Sequence, residues 1–255
     1  MSKRVKKADF VETAKKAIET ENWNLLIENA RAFMDHIGRP LSIEEFKNVC
    51  GIHITEKHTG KMTGMFSLST SCLMNEECKK HMAVKGAICE HCFANSLLKQ
   101  RKTMRPALQQ NFKILNAIVI PVELWPILNV RFFRTESFGD LGSAVHCMNY
   151  FNFMYRNPET KFGAWTKNYK FVKAAIEEYG YKKPKNVQLV IGSLFLNIQL
   201  NIKLFPYADK VFTVYDKEYL EKHTEIIINC GKRHCLSCLN CYRDNDVIYI
   251  NELLK

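Results

Sequence analysis

The chain has 255 residues, of which 47% are hydrophobic, and a formal net charge of +11. Such a chain can bury a sizeable core without cross-links, so stability alone does not account for its ten cysteines. No segment approaches the roughly 18 apolar residues of a membrane span, and the basic start of the chain lacks an apolar signal segment. We therefore expect a cytoplasmic protein with no membrane partner, where clustered thiols are metal ligands or redox groups more often than disulfides.

The positive charge predicts attraction to polyanions, which makes nucleic acid an expected partner. The alternative partner is a host protein. The lysines are spread along the chain without an arginine-rich run, so ordinary solvated surface explains the same charge. The oligomeric state cannot be predicted from this pattern.

Residues 1–60 are predicted to form a helical N-terminal addition. Apolar residues recur at three- and four-residue spacing in segments 10–19 and 23–37, and Gly38 ends the second of these helices. Ser42 followed by Glu45 is a capping-box pattern that predicts a third, short helix.

Residues 61–255 are predicted to form an α/β metal-cluster domain. Strand-like segments alternate with helical ones, including 96–118 with a boundary near Pro106. The strand candidates are 62–71, 130–137, 161–168, 186–194, 210–216 and 225–230, with a further short strand within 247–255. This order predicts a parallel sheet of about six strands, either open or forming a partial (β/α) barrel. Right-handed crossovers would bring the loops that follow the strands to one edge.

Eight cysteines fall into two groups with metal-ligand spacing. The first cysteine group is Cys72, Cys78, Cys89 and Cys92, and the second cysteine group is Cys230, Cys235, Cys238 and Cys241 within the C-terminal motif 230–242. In the second group a C-x2-C-x2-C run directs three thiolates at one compact target, as in iron–sulfur proteins. We therefore expect one or two [4Fe–4S] clusters, with zinc as the alternative metal. Cys50 and Cys147 lie outside both groups and are expected in the core.

The ligand set of the first group has two alternatives. Cys78, Cys89 and Cys92 alone would leave an open, reactive coordination site, whereas adding Cys72 would close it. His81, His91 and His234 lie within the cysteine-rich segments. We expect these histidines to face solvent or to hydrogen-bond sulfur rather than to bind metal.

The ordered stretches 69–95, 138–143, 165–168 and 230–242 resemble the gene-product-eighty-eight family of bacteriophages and related mobile elements. Those stretches contain S-T-S, C-x2-C-aromatic, G-D-L, aromatic-T-K and C-x2-C-x2-C-aromatic motifs in that order. The resemblance implies a phage-encoded protein and no particular chemistry.

A looser resemblance is to the radical S-adenosylmethionine enzymes, which carry C-x2-C-aromatic after the first strand of their barrel. Cys89, Cys92 and Phe93 match the end of that motif, although Cys78 stands eleven positions before Cys89 instead of four. This resemblance implies S-adenosylmethionine as a cofactor. It also implies that Gly139 and Asp140 contact that cofactor, because they follow the next strand.

Four polar residues follow predicted strands and are the candidate catalytic residues: Asp140, Thr166, Lys167 and Asn168. Helix capping and turn formation explain the same residue types. Two functions follow from these patterns. One is an iron–sulfur enzyme acting on nucleic acid or nucleotides, and the other is a metal-stapled, non-enzymatic binding protein for nucleic acid or a host protein.

Overall fold

The computed structural model describes residues 6–231 and 233–254. The start of the predicted basic cluster, residues 1–5, lies outside the described residues, as do Lys232 of the C-terminal motif and Lys255. Within the described ranges no helix is both long and apolar enough to cross a membrane.

Three helices open the described chain, as predicted: α1 (Lys7–Glu19), α2 (Trp23–Ile37) and α3 (Ile43–Cys50). Gly38 ends α2 in the left-handed conformation, with φ of 65°, which a glycine adopts without strain. The Ser42 and Glu45 capping box at the start of α3 is present in both directions. Cys50 is fully buried at the end of α3, as expected.

The remaining elements alternate between strands and helices. The strands are β1 (Ile54–Thr55), β2 (Phe66–Leu68), β3 (Phe132–Thr135), β4 (Lys161–Thr166), β5 (Val187–Gly192), β6 (Lys210–Tyr215) and β7 (Tyr249–Leu253). The helices are α4 (Glu76–Met82), α5 (Phe93–Gln100), α6 (Arg105–Ala117), α7 (Ala144–Arg156), α8 (Tyr169–Glu177), α9 (Lys217–Lys222) and the single turn α10 (Cys235–Cys238). Pro106 lies in the first turn of α6, where its missing N–H costs nothing, so the boundary predicted there is confirmed.

The seven strands form one open sheet in which spatial order follows chain order. β1 is antiparallel to β2, and β2 through β7 are parallel. The predicted parallel sheet of about six strands, open rather than closed into a barrel, is therefore confirmed. Because the order never reverses, right-handed crossovers place the connecting helices on one face of the sheet.

One predicted strand is wrong. Residues 225–230 form only a single bridge, between Cys230 and Glu252, and the sixth parallel strand is β7. The isoleucine run predicted a strand, but the backbone N–H groups of Asn229 and Cys230 both donate to the single carbonyl of Asn251, and side-chain amides make the other hydrogen bonds to β7. The Asn229 side chain donates to the Tyr249 carbonyl at 2.9 Å and accepts from the Asn251 N–H at 2.9 Å.

The two faces of the sheet are covered differently. On one face Phe133 and Phe162 pack with α6 to α8 and the N-terminal helices in a single large core, and Trp125 stacks on Phe153 at 4.8 Å. Cys147 of α7 lies in this core, as expected. On the opposite face, Tyr242 and Leu239 from the second cysteine group's segment form a small cluster with Met65. The cysteine-rich segment therefore covers the sheet where a helical layer is missing.

The buried carboxylate Glu45 stabilises the N-terminal helices. Its side chain is 7% exposed and accepts hydrogen bonds from Arg39 at 2.8 Å and from the Ser42 N–H at 3.0 Å. The Arg39 hydrogen bonds lower the Glu45 pKa to about 2, against the opposing effect of burial.

We predict that Glu45→Gln lowers the free energy of unfolding by about 2 kcal/mol at pH 7, allowing for solvent screening of the exposed Arg39. Because the folded-state pKa is depressed, this stability is present above the ordinary glutamate pKa and is lost as the pH falls towards 2. Urea unfolding at several pH values measures the difference. Glu44→Gln, an exposed neighbour in the same turn, is the control, and an equal loss in both variants would contradict the assignment.

Candidate metal centres

The first cysteine group assembles where β2 ends. Cys72 follows that strand and is 2% exposed against Leu98 and Leu108, whereas the other three thiols are half-buried. Cys78 lies in the first turn of α4, Cys89 in a short 3-10 turn, and Cys92 immediately before α5. Residues 20 positions apart in the chain are thus brought to one edge of the sheet.

The thiols of this group interact with one another. The Cys72 thiol donates a hydrogen bond to Cys92, which raises the pKa of Cys72 and lowers that of Cys92 to about 6. N–H groups at the start of α5 and the charge of Lys167 also favour the Cys92 thiolate, while burial opposes it. Burial and neighbouring negative charges, including that of Asp140, raise the pKa of Cys78.

Lys167, which follows β4, supplies the positive charge of this site. Burial disfavours its charged form, but Cys89, Asp140, Cys78 and Cys92 outweigh that effect and raise the Lys167 pKa. Its side chain crosses Gly192 at the end of β5, where an added Cβ would lie 3.3 Å from Lys167 Cγ and 3.6 Å from Nζ. Because Gly192 has no side chain, the Lys167 side chain has room to extend towards the cysteines.

Asp140 joins the loop after β3 to the loop after β4. Its Oδ1 accepts from the Thr166 hydroxyl at 2.5 Å and from the Leu141 N–H at 2.8 Å, and its Oδ2 accepts from the Lys167 N–H at 2.9 Å. Asn168 donates to the Leu141 carbonyl at 2.8 Å across the same junction. Burial raises the Asp140 pKa, and the Lys167 charge opposes that shift. With both oxygens engaged, Asp140, Thr166 and Asn168 position Lys167.

Glu136 is a buried acid beneath this site that the sequence did not identify. Its backbone is left-handed, with φ of 54°, and its carboxylate accepts from the Tyr150 hydroxyl at 2.5 Å and from the Thr70 hydroxyl at 2.9 Å. His146 Nε2 lies 3.2 Å from Glu136 Oε1. These partners hold the Glu136 pKa below its usual value although burial raises it.

Gly139 is required by the approach of this network. A Cβ at Gly139 would lie 2.7 Å from both Glu136 Oε2 and the Thr70 carbonyl oxygen. Its role in the structure is therefore to let the loop after β3 pass over Glu136 and place Asp140. The predicted contact of Gly139 with a cofactor stays a prediction.

The second cysteine group lines one cavity of about 100 Å³. All four of its thiols border the cavity, together with Lys61. Lys61 Nζ lies 3.1 Å from Cys230 Sγ and 3.0 Å from Glu252 Oε1, and these partners raise the Lys61 pKa against the effect of burial. Burial raises the pKa of Cys241 to about 12, and the nearby charge of Arg134 opposes it.

Arg134 is the second cation at this cavity. Its guanidinium lies 4.0 Å from the centre of the Trp165 ring, and its charge acts on Cys235 and Cys241. Arg134 Nε is buried and meets no acceptor with hydrogen-bond geometry in the described part of the chain. A cation beside these thiols fits a site whose sulfur atoms carry negative charge.

Tyr242 fixes this segment to the sheet. Its ring packs edge-on against Trp165 and Phe132, at 5.7 and 6.2 Å between centroids. A Cβ at Gly163 of β4 would lie only 2.7 Å from Tyr242 Cε1. The absence of a side chain at Gly163 thus gives the Tyr242 ring room to pack against the sheet.

The donor set fits thiolate-bound metal in both groups. Each brings cysteines together beside a lysine, and each lysine pKa is raised by those thiols. Across residues 6–231 and 233–254, no three His, Cys, Asp or Glu side chains converge as ligands of a single ion.

The predicted site residues therefore divide into two sets. The structure brings Asp140, Thr166, Lys167 and Asn168 to the first cysteine group and leaves the second group apart from them. It adds residues that sequence reasoning missed: Asn75, Glu136, Lys61 and Arg134. Of these, Asn75 alone has a local signal, since an asparagine before two glutamates is a helix-cap pattern, and it does cap α4.

No family model, curated protein or solved structure matches this chain. The resemblances to the phage family and to the radical enzymes stay predictions.

We predict that Cys92 is the most reactive thiol of the first group in metal-free protein. Its alkylation by iodoacetamide, followed by peptide mass spectrometry, should rise with a midpoint near pH 6, because the thiolate is the nucleophile. Cys72→Ala removes the largest cause of the depressed pKa and should raise this midpoint by about one pH unit or more. Cys50→Ala, which removes a distant buried thiol, should leave it unchanged. An unchanged midpoint in Cys72→Ala would contradict the hydrogen bond.

Proposed function

We propose that this chain is a phage-encoded iron–sulfur protein of the host cytoplasm, and a divergent radical S-adenosylmethionine enzyme acting on nucleic acid or nucleotides. Cys78, Cys89 and Cys92 hold the reactive [4Fe–4S] cluster. The second cysteine group holds an auxiliary cluster through all four of its thiols.

The observation that carries this proposal is the position of the first group. Three half-buried thiols meet at the carboxyl edge of a parallel sheet, and that edge is where α/β proteins place their reactive sites. Cys72 differs from the other three because it is almost fully buried, at 2% exposure, in the apolar cluster of Leu98 and Leu108. A three-thiolate set is therefore favoured over the closed set of four.

A [4Fe–4S] cluster held by Cys78, Cys89 and Cys92 would supply the single electron needed for reductive cleavage of S-adenosylmethionine. Residues of the chain supply the positive charge of this site and hold it in a fixed position. Lys167 offsets the negative charge of the thiolates and offers an ammonium to an anionic group. Asp140 and Thr166 fix the Lys167 backbone, so they are positioning residues.

A second candidate function is supported by the other face of the sheet. Tyr242 packs against the sheet immediately after the last cysteine, so a metal at the second group would staple this segment in place. Zinc would serve that purpose as well as a cluster does. The chain would then be a non-enzymatic binding protein for nucleic acid or a host protein.

We predict that S-adenosylmethionine changes the electron paramagnetic resonance spectrum of the reduced, anaerobically reconstituted protein. Dithionite should then yield methionine and 5′-deoxyadenosine. Cys89→Ser should abolish the spectral change and the products while keeping the iron of the second group, about four atoms if it holds a cubane.

The matched variant is Cys238→Ser. It should lose the iron of the second group and keep the cofactor-dependent spectral change, and Cys50→Ser should resemble the unmodified protein. If reduced wild-type protein neither binds nor cleaves S-adenosylmethionine, the enzymatic proposal fails. If the protein carries zinc and no sulfide, the binding-protein function takes its place.

A further inference from the structure

A second, larger cavity lies at the opposite edge of the sheet from the first cysteine group. Its volume is about 490 Å³, and it opens at the amino ends of β3 to β5. Residues 242–244, which directly follow Cys241, form its outer wall. The first cysteine group lies at the carboxyl ends of the parallel strands, and this cavity lies at their amino ends.

Positive charge dominates the lining of this cavity. Four cations border it, namely Arg131, Lys161, Lys185 and Arg243, against two carboxylates, Glu159 and Asp244. Among the described residues, none of these six side chains forms an ion pair within 4 Å, and all six are exposed. Like charges gathered around a recess without internal partners attract an anion from solution.

The cavity also has an aromatic floor and a rigid rim. Phe132 and Tyr242 line it, and the guanidinium carbons of Arg131 and Arg243 lie 5.6 and 5.8 Å from the centre of the Phe132 ring. This contact holds both arginines while leaving their N–H groups free for a ligand. Asn186 fixes the rim through hydrogen bonds from its amide to three carbonyl oxygens at 2.8 to 3.1 Å.

We propose that this cavity binds phosphate groups of a single-stranded nucleic acid. A nucleotide offers a phosphate to the four cations and a planar base to the half-buried Phe132 ring, whereas an acidic peptide offers only the charge. A recess of about 490 Å³ has room for one or two nucleotides, and a single strand is favoured because its unpaired bases can stack on Phe132, whereas the bases of a duplex stay stacked on one another. This inference depends on the proposed function in one respect only: a metal at the second cysteine group would hold the wall at residues 242–244 in place.

The test uses the full chain, purified without oxygen, and a short fluorescein-labelled oligothymidylate. Fluorescence anisotropy at several salt concentrations gives the affinity and its salt dependence. We expect Lys161→Gln/Lys185→Gln to weaken binding by about tenfold and to reduce the slope of log K against log salt by about 1.4, or 0.7 for each lost phosphate contact.

The matched control is Lys173→Gln/Lys217→Gln, which removes the same charge from exposed positions on α8 and α9. It should change the affinity less than twofold, because only the general attraction falls. Equal weakening by both pairs, or no binding by the wild-type chain, would overturn the proposal. Thermal unfolding shows that each variant keeps its fold.

Two further measurements separate the outcomes. Competition by deoxythymidine monophosphate shows whether the same phosphate site also takes a free nucleotide. Iron and sulfide measured on the same samples separate this site from the proposed function. Binding that depends on Lys161 and Lys185 in iron-free protein supports the cavity without the clusters, and iron-loaded protein that binds no strand rejects the cavity alone.

Discussion

The structure depends on covering the second face of a parallel sheet. Parallel sheets are buried on both faces, and strands arranged in chain order place the connecting helices α6 to α8 on one side. Here the other side is covered by the segment around the second cysteine group, with Tyr242 packed against Gly163. Its buried apolar cluster of Met65, Leu239 and Tyr242 is far smaller than the main core, so a metal bound by the proposed ligands would add to the stability of this segment.

Each cysteine group is balanced by its own cations. Lys167 serves the first group and is fixed by Asp140 and Thr166. Lys61 and Arg134 serve the second. Thiolates gathered in a partly buried site repel one another, and a neighbouring ammonium or guanidinium lowers that cost. The same pattern in two separate places is what sets these eight cysteines apart from Cys50 and Cys147, which lie in apolar core without such partners.

Much of the fold could be predicted from local pattern. The capping box of Ser42 and Glu45, the break at Gly38 and five of the six predicted parallel strands depend on short-range periodicity and turn chemistry. Residues 225–230 have the composition of a strand, but the pairing is decided by Asn229 and its distant partners in β7. No local pattern contains that information.

The two cysteine groups could be singled out from the sequence, whereas most of their surroundings could not. Cysteine spacing singles out both groups, and the turns after β3 and β4 single out Asp140 and Lys167. Lys61 stands 169 positions before Cys230, and Glu136 resembles the end of an ordinary strand. Their positions depend on which strands become neighbours, which single residues do not encode.

The central claim is that both cysteine groups bind iron–sulfur clusters. Its most direct test is the content of iron, acid-labile sulfide and zinc in wild-type protein purified without oxygen, with a visible spectrum of the same sample. About eight irons per chain with matching sulfide and a broad absorption that bleaches on reduction is the expected result. One or two zinc ions without sulfide would contradict it and leave the cysteine groups as structural zinc sites.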